Sequence, residues 1–89
     1  GIYALAAGVG ASATGLRNVA IGNGATTAGV DSIAQGTSAN AGMQNAIAIG
    51  FQSVASQINS INLGARTLST AGATGESAIA IGTDVTASQ

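Results

Sequence analysis

The chain repeats itself every 14 residues. The clearest copy of the recurring phrase is Asn-Ala-Ile-Ala-Ile-Gly at 45–50, and related copies close at Gly22 and Gly82. The glycines that close the six copies stand at positions 8, 22, 36, 50, 64 and 82, so four gaps are 14 residues long and the last is 18. A fixed period of this kind predicts a solenoid in which each repeat packs mainly against its neighbours.

Composition narrows the function classes that the chain can serve. Of its 89 residues, 46% are hydrophobic and only 6% are charged, which is the reverse of a disordered chain. The net charge is −1 and the two basic residues are Arg17 and Arg66, so we expect no nucleic-acid partner. No apolar run approaches the roughly 20 residues that span a bilayer, so we expect no direct membrane contact by this segment.

Positions that are equivalent from one repeat to the next form columns. One column consists of Leu5, Val19, Ile33, Ile47, Ile61 and Ile79. The column two residues later consists of Ala7, Ile21, Gln35, Ile49, Leu63 and Ile81. The column between them consists of Ala6, Ala20, Ala34, Ala48, Asn62 and Ala80. This large-small-large alternation, rich in β-branched residues, predicts a short strand in every repeat.

Each 14-residue row has room for two short strands and two turns. We therefore predict an all-β fold, a parallel β-roll whose rows stack about 4.8 Å apart over a length of about 29 Å. Wide aliphatic side chains would face small residues of the other strand and fill the interior. The alanine column would then point outward and meet other copies of the chain. The predicted contact residues are Ala20, Ala34, Ala48 and Ala80. The alternative is that this face is simply exposed to solvent.

The 18-residue gap places four additional residues in the row that starts at Gly64. Comparison with the neighbouring rows puts this insertion at about 68–74, and Gly75 restores the repeat. The chain starts and ends inside a repeat, so we expect residues 1–89 to form one repeat domain that is a segment of a longer protein.

Charged residues avoid the predicted strands and mark the two edges of the coil. Arg17 and Asp31 share a column in adjacent rows and can pair, and the same column continues into Asn45 and Asn59. Exposed pairs of this kind contribute only about 0–1 kcal/mol, so the column serves mainly to solvate the edge. The candidate ligand contacts are Arg17, Asp31, Asn45, Asn59, Arg66 and the 68–74 loop.

Catalytic chemistry has few residues to use. The chain has no His, Cys or Lys, so its Ser and Thr hydroxyls have no side-chain base. Asp31 and Asp84 are predicted about 19 Å apart at the rung spacing, and Glu76 and Asp84 fall on opposite edges. Neither pair fits the carboxylate separation of about 5–9.5 Å in glycosidases. We predict no enzyme activity, no cofactor and no metal site.

The phrases at 18–22, 45–50 and 77–82 resemble the head repeats of trimeric autotransporter adhesins, the YadA-like head. The resemblance extends over essentially the whole chain. It implies a left-handed parallel β-roll, a homotrimer, and display on the outer membrane at the cell surface of a Gram-negative bacterium. It also implies attachment to host matrix proteins, host cell-surface receptors or other bacterial adhesins. The departures from the pattern are Ala7, Gln35, Asn62 and the insertion.

Two other functions compete with adhesion. A passive spacer rod would have the same low charge and small side chains. An ice-binding solenoid would need a continuous threonine column, but Thr67, Thr70, Thr74, Thr83 and Thr86 fall at differing offsets. We therefore expect polyvalent binding by repeated shallow contacts, in which avidity multiplies weak single-site affinity.

Overall fold

A computed structural model describes residues 1–88 as twelve short strands in two six-stranded parallel sheets. The first sheet contains β1 (Leu5–Ala7), β3 (Val19–Ile21), β5 (Ile33–Gln35), β7 (Ile47–Ile49), β9 (Ile61–Leu63) and β11 (Ile79–Ile81). The second sheet contains β2 (Ser12–Ala13), β4 (Thr26–Thr27), β6 (Asn40–Ala41), β8 (Val54–Ala55), β10 (Gly72–Ala73) and β12 (Thr86–Ala87). The chain visits the two sheets alternately, so each repeat forms one turn of a solenoid. Gln89, the last residue of the predicted domain, lies outside the described residues.

Every strand pairs in parallel with its counterpart in the next repeat. In the first sheet Ala20 lies between Ala6 and Ala34, and Ile33 pairs with Ile47. Side-chain columns of the sequence are therefore columns in space, as the 14-residue period predicts. The Cα atoms span 30 × 23 × 15 Å, and the longest dimension is close to the predicted length of the coil. The parallel β-solenoid is confirmed, with about six turns.

The turns at one edge of the coil need a left-handed backbone at one residue of each repeat. Asp31, Asn45 and Asn59 have φ of 58°, 59° and 62°. Asp and Asn enter this region more readily than other residues with a side chain. The amide of Ala46 donates to the carbonyl of Met43 at 3.2 Å and closes the turn before β7. Backbone geometry thus accounts for the Asp and Asn residues of this edge.

Alanine side chains from both sheets fill the interior. Ala20, Ala34, Ala48 and Ala80 are fully buried within a single chain. Ala41 and Ala55 of the second sheet are buried opposite them, in the same cluster as the alanines of β3, β5 and β7. A core of this kind brings the two sheets close together, so nearly all of its side chains are small; the largest that the second sheet contributes is Thr27 of β4, which is 1% exposed.

The predicted orientation of the first sheet is therefore wrong. Its aliphatic side chains point outward, and Ile79 and Ile81 are 59% and 65% exposed. The alanines that were expected to meet other chains have no exposed area through which to do so. Period-two alternation places isoleucine and alanine on opposite faces, but it does not say which face is inside. The small inward residues of the second sheet favour the observed orientation, because the narrow gap between the sheets suits alanine and is too thin for a column of isoleucines.

Asn62 interrupts the alanine column without leaving a buried amide unpaired. Its Nδ2 donates to Oγ of Ser53. The Ser53 hydroxyl in turn donates to the Asn62 carbonyl oxygen at 3.0 Å. Ser53 stands where neighbouring rows have Ala25 and Ala39, so one departure from the repeat compensates the other. A buried polar pair that is hydrogen-bonded in this way avoids most of the cost of desolvation.

The insertion lies slightly before the predicted position. The Arg66 amide donates to the Phe51 carbonyl at 2.8 Å, so the coil is still regular at Arg66. Gly72 and Ala73 already belong to β10, where Ala73 pairs with Ala55. The four additional residues are therefore 67–70, whereas residues 71–74 of the predicted 68–74 loop follow the regular coil. We call residues 67–70 the insertion loop.

Candidate functional site

The structure brings four of the predicted contact residues into one line along an edge of the coil. We call Arg17, Asp31, Asn45 and Asn59 the asparagine edge. Each occupies the same turn position in successive repeats, with backbone φ between 53° and 62°. The backbone amide of Asn45 donates to the backbone carbonyl of Val30 at 2.9 Å, and equivalent backbone hydrogen bonds join the other rungs. All four side chains are exposed, so the edge is open to a ligand.

Two side-chain pairs order the asparagine edge. Arg17 donates from Nε to Oδ1 of Asp31 at 2.9 Å and from Nη2 to Oδ2 at 3.2 Å. The hydrogen bonds from Arg17 hold the pKa of Asp31 below its usual value, and the pair raises the pKa of Arg17. Asn45 donates from Nδ2 to Oδ1 of Asn59 at 2.9 Å. The predicted pairings thus form, although the side chains remain about half exposed (51% for Arg17 and 46% for Asp31).

Arg66 lies on the opposite edge, where it braces the insertion loop. Its Nε donates to the Gln52 carbonyl at 2.8 Å, and its Nη1 donates to the Ser69 carbonyl at 2.9 Å. One contact is to the regular coil and the other is to the loop. The guanidinium therefore fixes the loop to the preceding rung, and the predicted contact residues divide between two separate edges.

Asp84 holds the insertion loop from the following rung. Its carboxylate accepts hydrogen bonds from the backbone amide and hydroxyl of Thr67 and, at 3.0 Å, from the Leu68 amide. These bonds, with the Thr67 hydroxyl first, lower the pKa of Asp84. Asp84 is not among the ligand contacts predicted from the sequence. Asp84 follows Gly82 by two residues, just as Arg66 follows Gly64, so the repeat places both residues in one column at the edge where the insertion occurs.

The insertion loop should lose its order in acid. Because the pKa of Asp84 is lower in the folded chain, this carboxylate stabilises the loop above its unfolded pKa, and the contribution disappears as the pH falls through the folded value. The Thr67 and Leu68 amide resonances, followed by NMR between neutral and strongly acidic pH, should report this titration. Asp84→Asn should abolish the pH response, whereas Glu76→Gln should preserve it. An unchanged response in Asp84→Asn would contradict the assignment.

A third surface is the outward side of the first sheet, which we call the isoleucine face. It consists of Val19, Ile21, Ile33, Gln35, Ile47, Ile49, Ile61, Leu63, Ile79 and Ile81. None of its residues is charged, and it extends over every turn from β3 to β11. Sequence reasoning missed this surface because it placed the aliphatic columns inside the coil. Ile79 and Ile81 are exposed and the other seven aliphatic side chains are half-buried, so together they form a continuous apolar surface, which is typical of an interaction site.

The described part of the chain offers surfaces rather than an enclosed site. Within residues 1–88 no pocket is found, and no group of three His, Cys, Asp or Glu residues is placed to hold a metal ion. The same residues include no helix that is long and apolar enough to cross a membrane. Chemically, the two polar edges present hydrogen-bond donors and acceptors, and the isoleucine face presents aliphatic groups.

Comparison with known proteins identifies one related family. The family model described as YadA head domain repeat (2 copies) matches residues 1–25, 41–67 and 69–89, which is most of the chain. No curated protein and no solved structure gives a significant match.

Proposed function

The chain belongs to the YadA head domain repeat family, a family of adhesins, and we propose that it is a head segment of a trimeric surface adhesin. The segment is displayed at the outer membrane of a Gram-negative bacterium, as is the rule for the family. It attaches the cell to host extracellular matrix, to host cell-surface receptors or to adhesins of other bacteria. No catalytic step is part of this function.

The proposed assembly is a homotrimer of left-handed coils that meet through the isoleucine face. YadA-like heads associate as trimers, and this supports the stoichiometry. The choice of face is supported by its outward aliphatic side chains, which are half-buried or exposed in the single chain, and by its lack of charge. An alanine core buries little apolar surface per residue, so a single coil gains little hydrophobic stabilisation from its interior. Association through the isoleucine face would add to that stabilisation. Association would remove the isoleucine side chains from water.

The observation that carries the adhesion proposal is the ordered polar edge. The asparagine edge presents one polar side chain per rung, and Arg17–Asp31 and Asn45–Asn59 hydrogen bonds hold these side chains in place. Such a rigid row binds without a large loss of side-chain entropy. A trimer repeats the row three times, so weak contacts add up to strong attachment through avidity.

A passive spacer is the second candidate function, and one observation favours it. The residues of the asparagine edge pair with each other and adopt a left-handed backbone that a tight turn requires. Their side-chain types are then explained without any ligand. An ice-binding surface gains no such support, because the outward column of the second sheet mixes residue types. That column consists of Ser12, Thr26, Asn40, Val54, Gly72 and Thr86.

Removing the polar side chains while keeping the turns separates adhesion from spacing. We expect the combined variant Arg17→Gly, Asp31→Gly, Asn45→Gly and Asn59→Gly to lower the attachment of cells that display the protein by about tenfold or more. The contacts are lost in all three chains of the trimer, so the loss in avidity is larger than the loss at one site. Glycine adopts the left-handed backbone freely, so the coil should persist. Attachment to matrix-coated and cell-coated surfaces measures the effect.

The matched control is Glu76→Gln, which removes an exposed charge on the same edge of the coil but outside the row of four residues. It should attach like the parent chain. Circular dichroism and light scattering should show that the glycine variant keeps its β-structure and its mass. If that variant, folded and assembled, attaches normally to every surface tested, the spacer function is correct.

A further inference from the structure

We propose that Gln35 sets the axial register in which identical chains associate along the isoleucine face. The proposal rests on the trimer put forward above and concerns which rungs of the three chains meet. Among the outward residues of β3, β5, β7, β9 and β11, Gln35 has the only polar side chain. It is exposed. In the sheet it lies between Ile21 of β3 on one side and Ile49 of β7 on the other.

A face made only of aliphatic rungs does not specify its register. The rungs are about 4.8 Å apart, and a shift by one rung places an aliphatic residue where another aliphatic residue was at every position that does not involve Gln35. Such a shift forfeits the burial of one rung out of the five that form the face. A closed ring of three chains nevertheless requires all three chains to lie at the same height along the axis. An offset that is repeated from chain to chain produces an open helical assembly instead of a closed ring.

The amide of Gln35 distinguishes the aligned register from the shifted ones. It carries both donors and an acceptor, so copies that lie at the same height beside the three-fold axis can hydrogen-bond to one another. In a register shifted by one rung, the amide faces Ile21 or Ile49 of another chain. It is then buried without a partner, which is unfavourable. Single polar residues in apolar seams of coiled coils specify register in the same way, at a cost in stability.

The same features identify the occupant of the face as a second copy of this chain. A copy has the same rung spacing, so its isoleucines fit between these isoleucines along the whole coil. The face has no charge that would select an oppositely charged partner. Its one polar group is complementary to itself, whereas an unrelated apolar partner would leave the amide unsatisfied. The proposal places the Gln35 column next to the axis, where equivalent residues of three chains meet.

A self-sorting experiment tests the proposal. One variant moves the polar residue by one rung, with Gln35→Ile and Ile49→Gln in the same chain, and leaves the composition of the face unchanged. The parent and shifted chains carry different affinity tags and are co-expressed. We expect them to sort into separate homotrimers, with mixed trimers depleted about tenfold, because a mixed trimer buries amides at two heights. Tandem affinity purification measures the mixed fraction.

The control chain carries Gln35→Ile alone. Without the polar residue its assembly should melt at a higher temperature, and it should populate offset registers. Spin labels at Thr37 should then give a broadened distance distribution between chains, whereas the parent gives one narrow distance. If parent and shifted chains mix randomly in trimers of normal mass, the role proposed for Gln35 is wrong but the trimer stands. A parent chain that is monomeric by light scattering would overturn the proposed trimer as well.

Discussion

Ala48→Arg is expected to unfold the chain, whereas Ile47→Arg, one residue away, should leave the coil folded and abolish its association. Ala48 is fully buried between two sheets whose inward side chains are mostly alanine. An arginine there would have to bury an unpaired charge in a gap too thin for its side chain, at a cost of several kcal/mol. Ile47 points outward, so an arginine at that position reaches water from a single chain.

Two measurements on the two variants distinguish these outcomes. Circular dichroism should show loss of β-structure for Ala48→Arg and a retained β minimum for Ile47→Arg. Light scattering should show that Ile47→Arg has the mass of one chain. If Ala48→Arg melts like the parent, the alanine column is not the core. If Ile47→Arg keeps the parent's mass, the isoleucine face is not the surface through which chains associate.

Gly22→Ala is expected to destabilise the chain by roughly 3 kcal/mol or more, from backbone strain and steric overlap together. Gly22 has φ of 129°, a conformation that L-residues with a side chain rarely adopt. A Cβ at this position would also lie 2.6 Å from the carbonyl oxygen of Gly36 in the next rung. The rung spacing prevents that oxygen from moving away. The melting temperature should fall by about 10 °C or more.

Gly42→Ala is the matched control for this prediction. Gly42 has no left-handed φ, and the nearest atom to an added Cβ is Oδ1 of Asn40 at 3.4 Å. The alanine should be tolerated, with a change of about 0.4–1 kcal/mol in favour of the folded chain because the unfolded chain loses freedom. Equal melting temperatures for Gly22→Ala and Gly42→Ala would contradict the role assigned to the glycines that close each repeat.

The 14-residue period was enough to predict most of the architecture. Glycines at 14-residue intervals, with alternating large and small residues before them, predicted parallel strands in the right register and charges at the edges. The Arg17–Asp31 and Asn45–Asn59 contacts followed directly, because residues 14 positions apart must stack in a solenoid. The four-residue excess of one row likewise predicted an insertion, although the structure places it at 67–70.

Which face of each strand lies inside depends on contacts between the two sheets. Isoleucine and alanine alternate along β7, and local geometry is satisfied by either orientation. The distance between the two sheets breaks this symmetry, since the inward residues of the second sheet are small and the narrow gap suits alanine rather than isoleucine opposite them. The same long-range contact explains Asn62, whose partner Ser53 belongs to the other side of the coil. The spacing of residues along the chain can be read directly from the sequence. The fit between the facing sheets depends on the side chains of both sheets together.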